Sequence, residues 1–352
     1  MSIQEGADVG VRDHRGRRPL CWAAGNGHKA VVQLLLGTGR VDVSSTDSWG
    51  RTPLCLAATS GSEAVVQLLL GTGQVDASSK DSWGRTPVCW AAINGHKGVV
   101  QLLFETGKAD VDLKDSEGRT PLSWAAAYGH KPVVQLLLGT GQVNVDSMDS
   151  EGRTPLSWTM ESGQDSMAQL LLRTGEVDVD SKDSEGRTPL SWAAECGQDA
   201  MVLLLLGTRK VDVDAKDSWG RTPFSYAAGS GHKAVVQLLL RTGQVDVESK
   251  HSGGRTPLSW AAECWYKPVV PVIQLLLGTG QVDLDSKDSE GRTPLSWAAE
   301  KGNEAAVRLL LETGKVGVDS KDSEGRTPLS WAAEKGDEAV MQLLLRSKMD
   351  VD

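Results

Sequence analysis

The sequence predicts an all-α protein with short β-hairpin fingers, built as a solenoid of about ten tandem repeats. Ten of the thirteen prolines are spaced by 34 residues, apart from one interval of 37 residues. They are Pro19, Pro53, Pro87, Pro121, Pro155, Pro189, Pro223, Pro257, Pro294 and Pro328. Each lies in a segment similar to 118–126, and an apolar stretch similar to 133–138 follows about ten residues later. Helices this short are marginal alone, so each repeat must bury its apolar face against its neighbours.

The first helix of each repeat is expected to begin at the proline. In the fourth repeat Thr120 is placed to cap the helix, and Pro121 takes the first helical position, where an N–H would have no partner. Leu122, Ala125 and Ala126 follow at a spacing of i, i+3 and i+4. This spacing predicts one buried face, on which the two alanines let a neighbouring helix come close.

The second helix is predicted after a glycine, over about residues 131–138. Val134, Leu137 and Leu138 are expected to form its buried face. The helix should end in the Gly-Thr-Gly segment that follows, because Gly141 can adopt the left-handed C-cap conformation.

The finger is the last part of each repeat. Valine and aspartate alternate over residues 143–146, which predicts an extended segment. Asp149 then stands first and Gly152 fourth in a predicted type I turn. Each repeat is therefore predicted to contain a helix, a turn, a second helix and a β-hairpin-like finger.

The repeat spacing assigns nearly the whole chain to one continuous array. We expect residues 1–15 to be the tail of a truncated preceding repeat, and 16–352 to hold ten repeats that start at residues 16, 50, 84, 118, 152, 186, 220, 254, 291 and 325. Neither end has the polar character of a capping repeat, so we expect a piece of a longer polypeptide.

Three repeats depart from the pattern. Repeat eight carries a three-residue insertion, and its second helix is expected to begin at Pro271 because proline is tolerated only at a helix start. Arg209 replaces a C-cap glycine and should have a positive φ. Thr159 and Met160 replace two alanines, so Met160 must push the neighbouring helix outward or fill a gap. Repeats five and six should be the loosest.

The pattern Gly-x-Thr-Pro-Leu-x-x-Ala-Ala-x-x-Gly-His-x-x-Val-Val-x-Leu-Leu-Leu resembles the ankyrin repeat over about residues 6–352. The resemblance implies a scaffold that binds a protein or peptide partner on its concave surface of finger tips and first helices. The family's histidine after Thr-Pro-Leu is replaced by cysteine or serine here, so its hydrogen-bond network is not expected. The repeats are also similar to the arrays of fungal NACHT-type or nucleoside-phosphorylase-like sensor proteins. This implies an alternative, a sensor or autoinhibitory arm of a larger NTPase or enzyme.

Composition and motifs exclude several classes of protein. The 46 acidic residues exceed the 37 basic residues, which argues against nucleic acid as the main partner. No apolar run approaches the roughly 20 residues that span a bilayer, so no membrane partner is expected. Neither a phosphate-binding loop nor a HExxH or catalytic-triad pattern occurs, so we expect no enzyme, cofactor or small-molecule substrate. A monomer in the cytoplasm or the nucleus is expected.

Cysteine recurs at one position of the first three repeats, and histidine recurs at another position in four repeats. Cys21, Cys55 and Cys89 would lie about 10 Å from one another, which is too far for a disulfide or a shared zinc ion. We therefore expect no metal site and a reducing compartment. Histidines at the Gly-His position are expected to be framework residues; they are His28, His96, His130 and His232.

Candidate partner-binding residues are those that differ between repeats. The finger tips carry Trp49, Trp83 and Trp219, whereas five other tips carry glutamate. An exposed tryptophan at a turn is typical of an interface anchor, although it could instead cover the adjacent finger. In repeat eight, Trp265 and Tyr266 replace Gly-His. They predict an aromatic site within 264–273, and the alternative is a tolerated duplication.

The end of the first helix supplies the second set of candidates. Ile93 and Tyr128 stand there in early repeats, and later repeats carry Glu161, Glu195, Glu263, Glu300 and Glu334. Such an acidic stripe would favour a basic segment of the partner, and the alternative is a solvated face.

A ladder of aromatic residues also runs along the first helices. It consists of Trp22, Trp90, Trp124, Trp158, Trp192, Trp260, Trp297 and Trp331, with Leu56 and Tyr226 at the same position. Two alternatives stay open for the ladder, ring stacking between repeats and an apolar track for a peptide.

Overall fold

The computed structural model describes residues 8–107, 109–264 and 269–349. These residues contain twenty α-helices in ten pairs. The helices are α1 (Pro19–Gly25), α2 (Lys29–Gly37), α3 (Pro53–Ser60), α4 (Glu63–Gly71), α5 (Pro87–Ile93), α6 (Lys97–Glu105), α7 (Pro121–Ala127), α8 (Lys131–Gly139), α9 (Pro155–Ser162), α10 (Asp165–Leu172), α11 (Pro189–Glu195), α12 (Asp199–Gly207), α13 (Pro223–Gly229), α14 (Lys233–Arg241), α15 (Pro257–Glu263), α16 (Val270–Gly278), α17 (Pro294–Glu300), α18 (Glu304–Glu312), α19 (Pro328–Lys335) and α20 (Glu338–Met349).

The chain divides into two compact units, an N-terminal unit, Met1–Asp178, and a C-terminal unit, Val179–Asp352. Within the N-terminal unit the first helices pack in sequence, from α1 on α3 to α7 on α9. Within the C-terminal unit α11 packs on α13, and the series continues to α17 on α19. The second helices form a parallel series in each unit. The predicted all-α stack of repeats is confirmed.

The predicted start of the first helix is also confirmed. Thr120 Oγ1 accepts the backbone N–H of Ser123 at 3.2 Å, and Pro121 occupies the first turn. The serine that replaces the family's histidine bonds back to this threonine, with 3.0 Å between the two hydroxyl oxygens. Local capping thus accounts for Thr-Pro at the start of each first helix from α3 onward. Arg18 makes no such cap at α1.

The buried faces of both helices follow the predicted spacing with one exception. Leu122, Ala125 and Ala126 of α7 are fully buried, as are Val134 and Leu137 of α8. Leu138, also predicted to be buried, is partly exposed. At 100° per residue Leu138 lies roughly 90° from the centre of a face that instead includes Val133.

Histidines join three of the second helices, α6, α8 and α14, to the repeat before them. Nε2 of His96 donates to the carbonyl oxygen of Thr59 at 3.1 Å, and Nε2 of His130 donates to that of Ile93 at 2.8 Å. In the C-terminal unit, Nε2 of His232 lies 2.9 Å from the carbonyl oxygen of Glu195. The framework role predicted for the histidine position is confirmed at these three residues.

The fingers contain no β-strand within the described segments, so the predicted hairpin is wrong in this respect. The segment 143–146 turns instead of extending, because Ser147 N–H bonds to the carbonyl of Asn144 at 3.2 Å. The Asn144 side chain reinforces this turn by accepting the N–H of Asp146 at 3.0 Å. The turn at the tip is confirmed, since Gly152 N–H bonds to the carbonyl of Asp149 at 3.0 Å.

Neighbouring fingers are held together by bonds that recur from repeat to repeat. Ser150 N–H donates to the carbonyl of Glu117 at 2.8 Å, and Lys114 Nζ donates to the carbonyl of Met148 at 2.6 Å. The fingers approach so closely that glycine is required at the end of each tip. A Cβ on Gly84, whose φ is +71°, would lie 2.6 Å from the backbone nitrogen of Ser116 in the next finger.

The irregular repeats behave largely as their sequences predict. Arg209 has a φ of 56°, which confirms the left-handed conformation. Met160 is fully buried, so the core accommodates it. Helix α16 begins at Val270, one residue before the predicted Pro271, which lies in its first turn. The looser packing of repeats five and six stays a prediction.

The described residues contain neither a metal-binding group of side chains nor a membrane-spanning helix. No group of three or more His, Cys, Asp and Glu side chains there is arranged to hold a metal ion. No helix among them is both long enough and apolar enough to cross a membrane.

We expect the cysteines to differ strongly in their reactivity. Cys55 and Cys89 are fully buried, whereas Cys196 is exposed. Burial raises the pKa of the Cys89 thiol to about 11 and raises the pKa of Cys55 as well. Because the thiolate is the nucleophile, iodoacetamide at pH 8 should modify Cys196 at least about a hundredfold faster than Cys89. Peptide mass mapping measures this ratio.

The control for this prediction is alkylation in denaturant, where the two cysteines should react at similar rates. Equal rates in the native protein would contradict the burial of Cys89.

Candidate binding surface

An aspartate, buried in most repeats, organises the base of nearly every finger. Oδ1 of Asp149 accepts the backbone N–H groups of Glu151 and Arg153, both at 2.9 Å. Its Oδ2 accepts Nε of Arg153 at 3.2 Å and Nε1 of Trp158 at 3.1 Å. We call this arrangement the Asp–Arg–Trp cluster. One carboxylate thereby closes the turn, holds the arginine and fixes the tryptophan ring of the following helix.

The aspartate-to-ring bond of the cluster recurs along both units, and the aspartate also pairs with its own arginine at Asp13, Asp183, Asp217 and Asp322. The aspartate-to-ring bonds are Asp13–Trp22, Asp81–Trp90, Asp115–Trp124, Asp183–Trp192, Asp288–Trp297 and Asp322–Trp331, with Asp217 bound to the hydroxyl of Tyr226. The spacing Asp-x3-Arg-x4-Trp is visible in every such repeat. Sequence reasoning missed the aspartate and the arginine as partners of the ring, although this spacing could have revealed them.

Arginines lie between successive rings of the aromatic ladder. The Arg119 guanidinium lies 4.6 Å from the ring centroid of Trp124 and 4.5 Å from that of Trp158. In the C-terminal unit, Arg255 lies 3.9 Å from the rings of both Trp260 and Trp297. At these steps, and at Arg85 and Arg292, the ladder packs between repeats through cation–π contacts, whereas Arg153 and Arg187 each lie over one ladder ring among the described residues.

The tryptophan rings at the finger tips are exposed to solvent on one face. Trp83 and Trp219 are 41% and 43% exposed, whereas Trp49 is only partly exposed. The Arg221 guanidinium of the same finger lies 4.5 Å from the Trp219 ring centroid, and Arg51 lies 4.8 Å from that of Trp49. Each tip ring thus covers an arginine with one face and leaves surface available to a partner.

The glutamates at the other tips contact the equivalent arginine. The ion pairs are Glu117–Arg119 at 2.8 Å, Glu151–Arg153 at 3.0 Å, Glu185–Arg187 at 3.1 Å, Glu290–Arg292 at 2.9 Å and Glu324–Arg326 at 3.0 Å. Tryptophan and glutamate therefore pack on the equivalent arginine two residues later in the finger, which we call the framework arginine. The tip residue changes the chemistry of the surface without a change in the frame beneath it.

Tyr128 is the most exposed of the aromatic candidates that lie in the described residues. It is 55% exposed and its ring stacks on Trp124, with 5.8 Å between centroids and an interplanar angle of 7°. Ile93 at the end of α5 is partly buried. Tyr128 thus extends the aromatic ladder to the surface of the N-terminal unit.

The acidic stripe is largely paired. Its internal ion pairs are Glu161–Arg153 at 3.5 Å, Glu263–Arg255, Glu263–Lys301 at 3.6 Å and Glu300–Arg292 at 2.9 Å. Oε2 of Glu195 is buried without a hydrogen-bond partner in the described residues, and Glu334 is exposed. The stripe is therefore not a uniformly unpaired acidic surface, because framework arginines reach three of its five glutamates.

Repeat eight lacks the aspartate of the cluster. His251 stands in its place, and its ring centroid lies 5.2 Å from that of Trp260. Nε1 of Trp260 is buried and has no acceptor among the described residues. The predicted aromatic pair of this repeat, Trp265 and Tyr266, lies outside the described residues.

Comparison with known families gives one clear match. A model described as "Ankyrin repeats (3 copies)" matches residues 1–81, 65–149, 139–217, 209–273 and 264–352. No curated protein matches the chain.

Proposed function

Because the chain belongs to the ankyrin repeat family, we propose that it is a non-catalytic scaffold that binds a protein or peptide partner. The proposed contact surface consists of the finger tips and the exposed ends of the first helices. Repeats of this family are generally protein-interaction modules, and a repeated frame with variable surface residues suits that role.

The exposed tip tryptophans carry this proposal. Trp83 and Trp219 keep more than two fifths of their surface open, although other fingers place a glutamate on the same framework arginine. Large exposed aromatic side chains on a rigid frame lose little conformational entropy on binding, and such residues are enriched among interface hot spots. Tyr128, stacked on Trp124, has the same character.

The test is a pull-down with the full chain from its native cells, comparing wild type with Trp83→Glu and Trp219→Glu. These variants carry the residue that five other fingers already have, so the frame should persist. A partner that depends on either anchor should bind at least about tenfold more weakly, which corresponds to a hot spot of about 1.4 kcal/mol or more.

The matched control is Leu203→Gln on α12. Leu203 is 54% exposed, and eight other second helices have glutamine at the equivalent position, for example Gln67, Gln101 and Gln135. Recovery of the same proteins at the same level by wild type, by both tip variants and by the control would reject the proposed surface.

A further inference from the structure

A pocket of about 450 Å³ lies among the first helices of the C-terminal unit. Glu195 of α11, Tyr226 and Gly229 of α13, and Trp260 and Glu263 of α15 line it. Gly229 explains its origin, because the repeats on either side have Glu195 and Glu263 at this position. The side chain that Gly229 lacks is what opens the pocket.

The charges that line the pocket are unequally satisfied. Arg221 is held by Asp217, with 2.8 Å between Nε and Oδ2, and Lys301 pairs with Glu263 at 3.6 Å. Oε2 of Glu195 is buried and has no hydrogen-bond partner within the described part of the chain. A buried acceptor without a donor is costly, so this carboxylate favours a ligand that donates hydrogen bonds.

The backbone of Glu195 is held in place at the pocket wall. Its carbonyl oxygen lies 2.9 Å from Nε2 of His232, which joins the end of α11 to the following repeat. A carboxylate on a fixed backbone is preorganised for a charged ligand, because less freedom is lost on binding.

The aromatic ladder is incomplete at this pocket. In the C-terminal unit, Arg255 and Arg292 each lie over the rings of two successive repeats, whereas Arg187 lies over the Trp192 ring and no second ladder ring among the described residues. Arg221 has the equivalent position, but it lies over Trp219 and Tyr226 and makes no such contact with Trp260 among the described residues. The ladder therefore lacks a cation between Tyr226 and Trp260.

We propose that this pocket binds one arginine side chain of the partner. The guanidinium pairs with Glu195 and takes the place between Tyr226 and Trp260 that framework arginines occupy elsewhere in the ladder. A planar guanidinium satisfies both requirements, because it stacks on aromatic rings and forms forked hydrogen bonds with a carboxylate. This inference rests on the proposed function and names the chemistry of the ligand at one part of that surface.

The test uses the full chain and a short probe peptide, acetyl-Gly-Arg-Gly-amide. Nuclear magnetic resonance follows the indole N–H signal of Trp260, assigned with a Trp260→Phe variant. The arginine peptide should shift this signal saturably. The same peptide with citrulline, which has the shape of arginine without its charge, should bind at least about tenfold more weakly.

Two variants and a control locate the site. Glu195→Gln should weaken the arginine peptide at least about tenfold, and Gly229→Glu should abolish its binding by filling the pocket. The second variant should fold, because the repeats on either side have glutamate there. Its new Cβ would lie 3.2 Å from Cβ of Trp260, so the Trp260 side chain must move by a few tenths of an ångström to admit it. Glu334→Gln, at the equivalent position of the last repeat, should change nothing.

Three results would overturn the proposal. They are the absence of a saturable shift with the arginine peptide, equal affinity of wild type and Glu195→Gln, and tighter binding of a lysine peptide than of the arginine peptide. The pull-down separates this inference from the proposed function. Partners lost with the tip variants but kept by Glu195→Gln would leave the scaffold role standing and reject the arginine pocket.

Discussion

Replacement of Asp149 by alanine is expected to lower the free energy of unfolding of the N-terminal unit by about 3–5 kcal/mol. Asp149 is buried and accepts hydrogen bonds from two backbone N–H groups, from Arg153 and from Trp158. Alanine leaves all of these donors without that acceptor. Arg153 is only 8% exposed, so water cannot readily replace the carboxylate.

Urea denaturation followed by circular dichroism measures this loss. The control is Glu151→Ala in the same turn, which removes a carboxylate whose side chain is 61% exposed. An exposed ion pair contributes at most about 1 kcal/mol, so the control should unfold close to wild type. Equal shifts for the two variants would show that the cluster does not stabilise the finger.

The opposite change is expected in repeat eight. Replacement of His251 by aspartate should raise the free energy of unfolding of the C-terminal unit by about 1–3 kcal/mol. The new carboxylate would supply the acceptor that the buried Nε1 of Trp260 lacks, as Asp288 does for Trp297 in the next repeat. It would also lie beside Arg255, in the position that other aspartates hold relative to their arginines.

The reverse substitution, aspartate to histidine at the equivalent position of another finger, is the control for this prediction. Asp217→His, in the finger just before repeat seven, removes the acceptor of the Tyr226 hydroxyl and the partner of Arg221, both at 2.8 Å, and should destabilise the same unit. Thermal denaturation of both variants gives the two shifts. If His251→Asp were neutral or destabilising, the missing acceptor would not be the weak point of repeat eight.

The effect of His251→Asp should depend on pH. Burial lowers the pKa of His251 in the folded protein, and the charges of Arg255 and Arg221 act in the same direction against the weaker opposite effect of Asp288. Because the unfolded chain binds the proton more readily, the contribution of His251 is fully present above about pH 6.5 and is lost as the pH falls toward the folded pKa. The stability difference between variant and wild type should therefore widen from pH 7.5 to pH 5.5.

Local features of the fold could be predicted from the sequence, and long-range features could not. The start of α7 follows from Thr120 and Pro121, which act on groups within three residues. The fingers were mispredicted because side chains such as Asn144 capture nearby backbone N–H groups, so alternation of valine with polar residues does not produce a strand. Periodicity alone does not show that competition.

The exposure of some candidate residues could be predicted from the sequence, whereas the pairing of their charges could not. The exposed positions of Trp83, Trp219 and Tyr128 agree with their place at tips and helix ends. The pairing of Glu300 with Arg292 spans eight residues and two structural elements, and sequence spacing gives no sign of it. Only the three-dimensional structure shows that framework arginines pair with three of the five glutamates of the stripe.

The bonds between fingers have an evolutionary consequence. Lys114 Nζ reaches a carbonyl 34 residues ahead, and Lys250 makes the same bond to Lys287 across 37 residues despite the insertion between them. Donor and acceptor therefore belong to equivalent places in adjacent modules. Gene duplication or unequal recombination that adds or deletes one whole module would again place a lysine opposite an equivalent carbonyl group. The number of modules in the array can therefore change while the hydrogen bonds between neighbouring fingers are preserved.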